Sequence, residues 1–317
     1  MTGLRVSTSY LLNNLSRDIS QQLARMQRLS EDISTGKRVR KPSDDPIAAS
    51  RGMAIRALRA GVAQHKTNID DAKDWLGATE RALMKAQEVF QNAADAALRA
   101  GNSTLSGDER QALAQDVNGL IAELVDLANT EYDGRYIFAG LKTLTKPFVL
   151  TENTDASGVT VTTVTYEGLD GSKQVEVEPG TTMQVNANGG EVFMQGISEA
   201  GNRNLFQILV DLRDHLLAGD ASSTYYDDIA SDVSATQAAQ DRIMNLVTGV
   251  GAKVRRLDRA SAKLSEDEVE LEALLSKTED ADVFKAISDL QLQETVYKAA
   301  LGAAAGIMQT SLVDYLR

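Results

Sequence analysis

The feature that most constrains this chain is an apolar series in alternating steps of three and four: Ile55, Leu58, Val62, His65, Ile69, Ala72, Leu76, Thr79, Leu83, Ala86, Phe90, Ala93 and Ala97. Such steps follow one face of an α-helix. Every seventh residue in one column is large (Val62, Ile69, Leu76, Leu83, Phe90). From Ala72 onward the other column is small (Ala72, Thr79, Ala86, Ala93), so a partner helix can lie close along the seam. At 1.5 Å per residue, a helix over about 47 to 99 would be roughly 75 to 80 Å long.

The same grammar recurs near both ends. Leu12, Leu15, Ile19, Gln22, Met26, Leu29 and Ile33 form a first series with one polar exception, Gln22. Leu113, Val117, Leu120, Leu124 and Leu127 form another, after the loop "AGNSTLSGDER", in which Ser106 and Asp108 mark a helix start. "NLFQILVDLRDHLLAG" at 204–219 is helical, and Ile243, Val247, Val250, Val254, Leu257, Ser261, Leu264, Glu268, Leu271 and Leu275 make a long heptad series. "SKTEDAD" offers a capping box, Ser276 with Glu279, for a last helix reaching Leu316.

Residues 141–199 read differently. Threonine and valine alternate in "VTVTTVTYEG", "KQVEVE" is strand-like, and Pro179-Gly180 fits the centre of a type II turn leading into "TTMQV". Between 152 and 200 there are eight acids and one base. That charge predicts a small acidic domain that faces outward and is dispensable for assembly. The expected fold is therefore mainly α: a long antiparallel helical coiled-coil rod built from the N- and C-terminal regions, with a small inserted β-rich domain. Its expected division is 1–33 with 281–317 as a terminal helical domain, 34–46 and 276–280 as spacers, 47–140 with 200–275 as the long-helix domain, and 141–199 as the outer insert.

Composition narrows the partners. A net charge of -12 argues against nucleic acid, which demands a basic face. No apolar run reaches the roughly 18 to 20 residues of a membrane span, and the start lacks the layout of a cleaved secretory signal. With no cysteine, no disulfide can form. Low aromatic and proline content with plentiful alanine fits long helices.

The segment "STGKRVRKPSDDPIAAS" at 34–50 interrupts two helical patterns. Gly36 can adopt the left-handed conformation that ends one helix, Pro42 forces Lys41 to be extended, and Ser43 to Pro46 supply caps, acids and a first-turn proline for the next. Its basic run, Lys37, Arg38, Arg40 and Lys41, has two readings: a solvated connector, or a cationic patch for an acidic neighbouring subunit.

Taken with "LANTEYDGRYIFAGLKTLTKPF" and the C-terminal "EDADVFKAISDLQLQETVYKAALGAAAGIMQTSLVDYL", this segment resembles the bacterial flagellin superfamily, and within it the hook-filament junction branch, the hook-associated protein 3 family. Pro46 after the Asp-Asp pair departs from the usual filament flagellin pattern. The resemblance implies a structural adaptor forming a ring of identical subunits between hook-associated protein 1 and flagellin. It also implies passage unfolded through the flagellar type III export apparatus without a cleaved signal, a cytoplasmic export chaperone on the C-terminal helix, and a final extracellular position in the flagellum. Residues expected to meet other subunits are Leu12, Leu15, Ile19, Met26, Leu29 and Ile33, the spacer residues Lys37, Arg38, Arg40, Lys41, Asp44 and Asp45, and Phe284, Ile287, Leu290, Val296, Leu301, Ile307 and Leu312. Each end, roughly 1–45 and 276–317, has an apolar face that its own segment cannot bury, so both are expected to be disordered in the monomer and to become helical only on assembly.

Catalysis finds no support in the residues. A metalloprotease insert of the kind some flagellin relatives carry would need His-Glu-x-x-His, but His65 is followed by "KTNI" and His215 by "LLAG". No metal, cofactor or enzymatic activity is expected. The competing readings are a filament-forming flagellin and a cytosolic coiled-coil scaffold.

Overall fold

In the computed structural model, residues 8–101, 105–154, 160–219 and 224–315 are described. Six α-helices dominate: α1 (Thr8–Thr35), α2 (Pro46–Ala100), α3 (Gly107–Ala128), α4 (Leu205–Ala218), α5 (Tyr225–Glu279) and α6 (Val283–Tyr315). Between α3 and α4 lie three antiparallel hairpins: β1 (Glu131–Tyr132) with β2 (Arg135–Tyr136), β3 (Phe148–Thr154) with β4 (Thr160–Tyr166), and β5 (Gln174–Glu178) with β6 (Thr181–Gln184). The fold class is the mainly α one that the periodicity predicts. The chain divides into two compact units, residues 62–265 and residues 1–61 with 266–317; α2 and α5 contribute to both.

The unit of residues 62–265 has a dense core. Ile69, Leu76, Leu83 and Phe90 are fully buried along α2 together with the small column Ala72, Thr79, Ala86 and Ala93. From α5 come Ile243, Val250, Leu257 and Leu264, again at seven-residue spacing. The capping box of Ser106 with Glu109 opens α3, and a second one, Asn204 with Gln207, opens α4. The β1–β2 turn places Asp133 and Gly134 at positive φ, the arrangement an Asp-Gly hairpin favours. Trp75 is buried edge-on to Tyr132, with the Lys173 ammonium 4.2 Å from its ring centroid.

The β-rich segment is not an outer appendage of this unit. Phe148 and Phe193 are buried against each other and against Phe206 of α4, with ring centroids 5.3 to 5.8 Å apart. Val177, Met183, Val185 and Val192 belong to the same core. Its charge lies on the solvent side, while its apolar residues complete the helical core. Deleting 150–197 would therefore take Val177, Met183, Val185, Val192 and Phe193 out of this core.

The unit of residues 1–61 with 266–317 is built differently. Here α1 packs on α6. Its buried apolar residues, among those described, are Val39, Ala49, Ile55, Leu275 and Ala286. Large apolar side chains on its surface include Leu23, Ile47, Met53, Leu58, Val269, Leu274, Leu292 and Phe284. Leu58, although it belongs to the α2 series, is 60% exposed.

Candidate functional site: a stitched break between terminal helices

Two helix breaks meet in the terminal unit. Gly36, at φ 68°, ends α1 and turns the chain into residues 37–45, while α5 ends at Glu279 and α6 begins at Val283. The two breaks are tied by backbone hydrogen bonds. The N–H groups of Arg38 and Val39 donate to the Glu279 carbonyl at 2.7 and 3.1 Å, and the N–H of Ala281 donates to the Gly36 carbonyl at 2.9 Å. Lys37 and Asp280 form an antiparallel bridge. Each break thus satisfies backbone groups that the other exposes.

Glu279 holds the arrangement from its side chain as well. Its carboxylate is 3% exposed, pairs with Arg56 of α2 and lies 3.6 Å from Lys37 Nζ. A buried carboxylate without partners would be costly, so these cations fix where it sits. A Cβ on Gly52 would run into this carboxylate; the glycine inside α2 gives it room. The expected capping box of Ser276 with Glu279 is therefore corrected. Both residues lie in the last turn of α5, and Asp282 caps α6, accepting from the Lys285 N–H at 3.0 Å.

The acids of "KPSDDP" shape the other strand of the break. Asp44 Oδ2 accepts the N–H groups of Lys41 and Arg40 at 2.9 and 3.2 Å, which holds its carboxyl below the ordinary carboxylate range. Asp45 caps α2, accepting from the Ala48 N–H at 3.0 Å, and its carboxyl is lowered by that bond and by Arg38. Burial pushes the neighbouring Asp32 carboxyl up, opposed by Arg40.

The basic residues separate on inspection. Arg38 reaches Asp45 at 3.3 Å and the Thr278 carbonyl at 3.2 Å. Arg40 bonds Glu31 at 2.7 Å and Asp32 at 3.2 Å, back on α1. With Lys37 on Glu279, three of the four bases are engaged within the chain. Lys41 is exposed, and its side chain makes no ion pair among the described residues. The run is thus a set of internal ties rather than a free cationic patch.

The two terminal faces also differ. On α1, Leu15, Ile19, Met26, Leu29 and Ile33 are half-buried, in one three-and-four series. On α6 the covered series is Ala286, Leu290, Gln293, Tyr297, Ala300 and Ala304. Of the α6 residues expected at an interface whose side chains are described, only Leu290 belongs to it; Phe284, Ile287, Val296 and Leu301 are exposed, Phe284 by 89%. The side chains of Leu12, Ile307 and Leu312 lie outside the described residues.

Sequence reasoning missed Glu279, Arg56 and Thr278 as parts of this site. A glycine at position 52 inside a helix was the available signal, since glycine costs about 1 kcal/mol there relative to alanine.

Comparison with known proteins decides the family. Residues 6–143 match the bacterial flagellin N-terminal helical region. The flagellar hook-associated protein 3 of Escherichia coli strain K12 is 30% identical over 98% of this chain and 98% of its own length. The chain belongs to the flagellar hook-associated protein 3 family. Its namesake in Salmonella typhimurium is 34% identical over 65% of this chain and 64% of that one. Flagellins are more distant, at 21 to 25% identity. Among solved structures, the flagellar junction protein FlgL from Legionella pneumophila, 18% identical, covers 73% of this chain and all of its own, with a TM-score of 0.60, and shares the fold. As a member of this family the chain is a structural component of the bacterial flagellum. No helix among the described residues is long and apolar enough to cross a membrane.

Proposed function

We propose that this protein is an adaptor that joins the flagellar hook to the flagellin filament, as a ring of identical subunits bordered by hook-associated protein 1 and flagellin. The observation that carries this reading is near full-length correspondence with a hook-associated protein 3, combined with a terminal unit that leaves Phe284, Ile287, Val296 and Leu301 in water. Large apolar side chains along one helix fit a surface completed by neighbouring subunits. The role is mechanical rather than enzymatic. The protein travels unfolded through the type III export apparatus, its C-terminal helix held beforehand by a cytoplasmic chaperone. The apolar faces of α1 and α6 pack against neighbouring subunits, while the stitched break ties the end of α1 to the start of α6.

Immunogold electron microscopy of detached flagella tests the role. A narrow band of label at the hook-filament boundary is expected. Label along the whole filament would instead make the chain a flagellin, and label confined to the cytosol would make it a scaffold.

A further inference from the structure

The insert and α5 enclose a groove of about 330 Å³ lined by Val177, Met183 and Leu257, with Arg256, Arg259 and Lys263 at its rim. Lys263 pairs with Glu178 at 3.2 Å. Arg256 and Arg259 are exposed and take no ion pair or hydrogen bond among the described residues. They belong to "KVRRLDRASAK", which carries five bases and one acid in a chain of net charge -12. The next turns of the same helix, "EDEVELE" at 266–272, carry five acids and no base; Glu272 pairs with Arg59 of α2 and Glu268 is engaged within the chain, while Glu266 and Glu270 are exposed.

We propose that this groove is a contact between copies of the chain, in which the acidic stretch 266–272 of one subunit docks on Arg256 and Arg259 of the next. The inference rests on the ring reading above and adds the surfaces that meet. A glutamate suits the groove: its methylenes fit against Val177 and Met183, and its carboxylate can take a bidentate pair from a guanidinium. Both charge blocks lie on every subunit, so each could give one contact and receive one. A head-to-tail arrangement of that kind closes into a ring or continues as a helix.

Because the chain has no cysteine, the contact can be read by cross-linking in intact hook-filament complexes. Cells would express the full chain carrying Ala260→Cys and Val269→Cys, beside the groove and within the acidic stretch, which leaves every charge of the contact in place. Nine residues apart on α5, these positions are about 13 Å from each other, whereas a disulfide needs Cα atoms within about 7 Å. Any bridge therefore joins two chains. Mild oxidation of isolated complexes should shift the band from 34.2 kDa to dimers and higher multiples. Either single cysteine should give no such ladder, and adding Arg256→Glu should abolish it with far-ultraviolet circular dichroism unchanged. Complexes that contain the chain but give no cross-link would overturn the contact. So would a cross-linked product of another protein's mass. Absence of the chain from the complexes would overturn the adaptor reading, and this contact with it.

Discussion

The two compact units solve the burial problem in opposite ways. In residues 62–265 the helix seams are closed within the chain, and Phe138, Phe148, Phe193 and Phe206 lock the β-rich segment onto them. In residues 1–61 with 266–317, five apolar residues are buried among those described, while Phe284, Ile47 and Val269 face solvent. The first behaves as a finished domain. The second is held by specific ties at its break and leaves apolar surface for something else to cover.

Substitution of one phenylalanine in each unit should expose this contrast most strongly. Phe193→Ala removes a fully buried ring and should lower global stability by about 3 to 5 kcal/mol. Phe284→Ala should change the monomer by no more than about 0.5 kcal/mol, yet should reduce the number of filaments per cell. Thermal unfolding of both variants and filament counts check the pair. Equal losses of stability would erase the distinction.

The break should show an intermediate effect. Glu279→Ala leaves Arg56 and Lys37 without their shared partner and should weaken the terminal unit by about 1 to 3 kcal/mol. Gly52→Ala should do the same from the other side, by pushing the carboxylate away. Local hydrogen exchange in α1 and α6 would report both changes, with 62–265 unaffected.

A smaller difference should separate adjacent bases. Arg40→Glu breaks two ion pairs on α1 and places a negative charge beside Glu31 and Asp32, an effect of about 1 kcal/mol. Lys41→Glu should leave the monomer's melting temperature unchanged. Reversal of the whole basic run therefore destabilises the subunit itself, and loss of junction strength in such a variant would not by itself reveal an intersubunit contact.

The smallest effect is acid sensitivity of the break. Asp44 and Asp45 have carboxyls lowered by backbone donors, so their contribution is fully present above the ordinary carboxylate value of about 4 and is lost as pH falls through their lower folded values. The Asp32 carboxyl is raised, so on its own it favours the folded form slightly more as pH falls. Carbon-detected nuclear magnetic resonance titration of these three side chains should show shifts of opposite sign. Matching titrations would contradict the geometry of the turn.

Much of the fold was legible because helix periodicity is local. The α2 and α5 seams, the capped start of α3, the Gly36 stop and the Pro179-Gly180 turn all depend on residues close in sequence. What was not legible depends on distant partners. Glu279 reads as a helix-capping residue until Arg56 and Lys37 are placed beside it. Likewise, net charge described the solvent side of 141–199, but Phe148, Val185 and Phe193 set its true place in the core. On α6, an apolar residue count could not say which of two faces meets α1.

Hydrogen exchange on the dilute, full-length monomer tests the central claim most directly. Unfinished burial in the terminal unit predicts exchange of α1 and α6 amides orders of magnitude faster than those of residues 69–97 and 243–264, with strong protection of α1 and α6 in assembled hook-filament complexes. Protection of α1 and α6 in the monomer equal to that of the 62–265 core would contradict it.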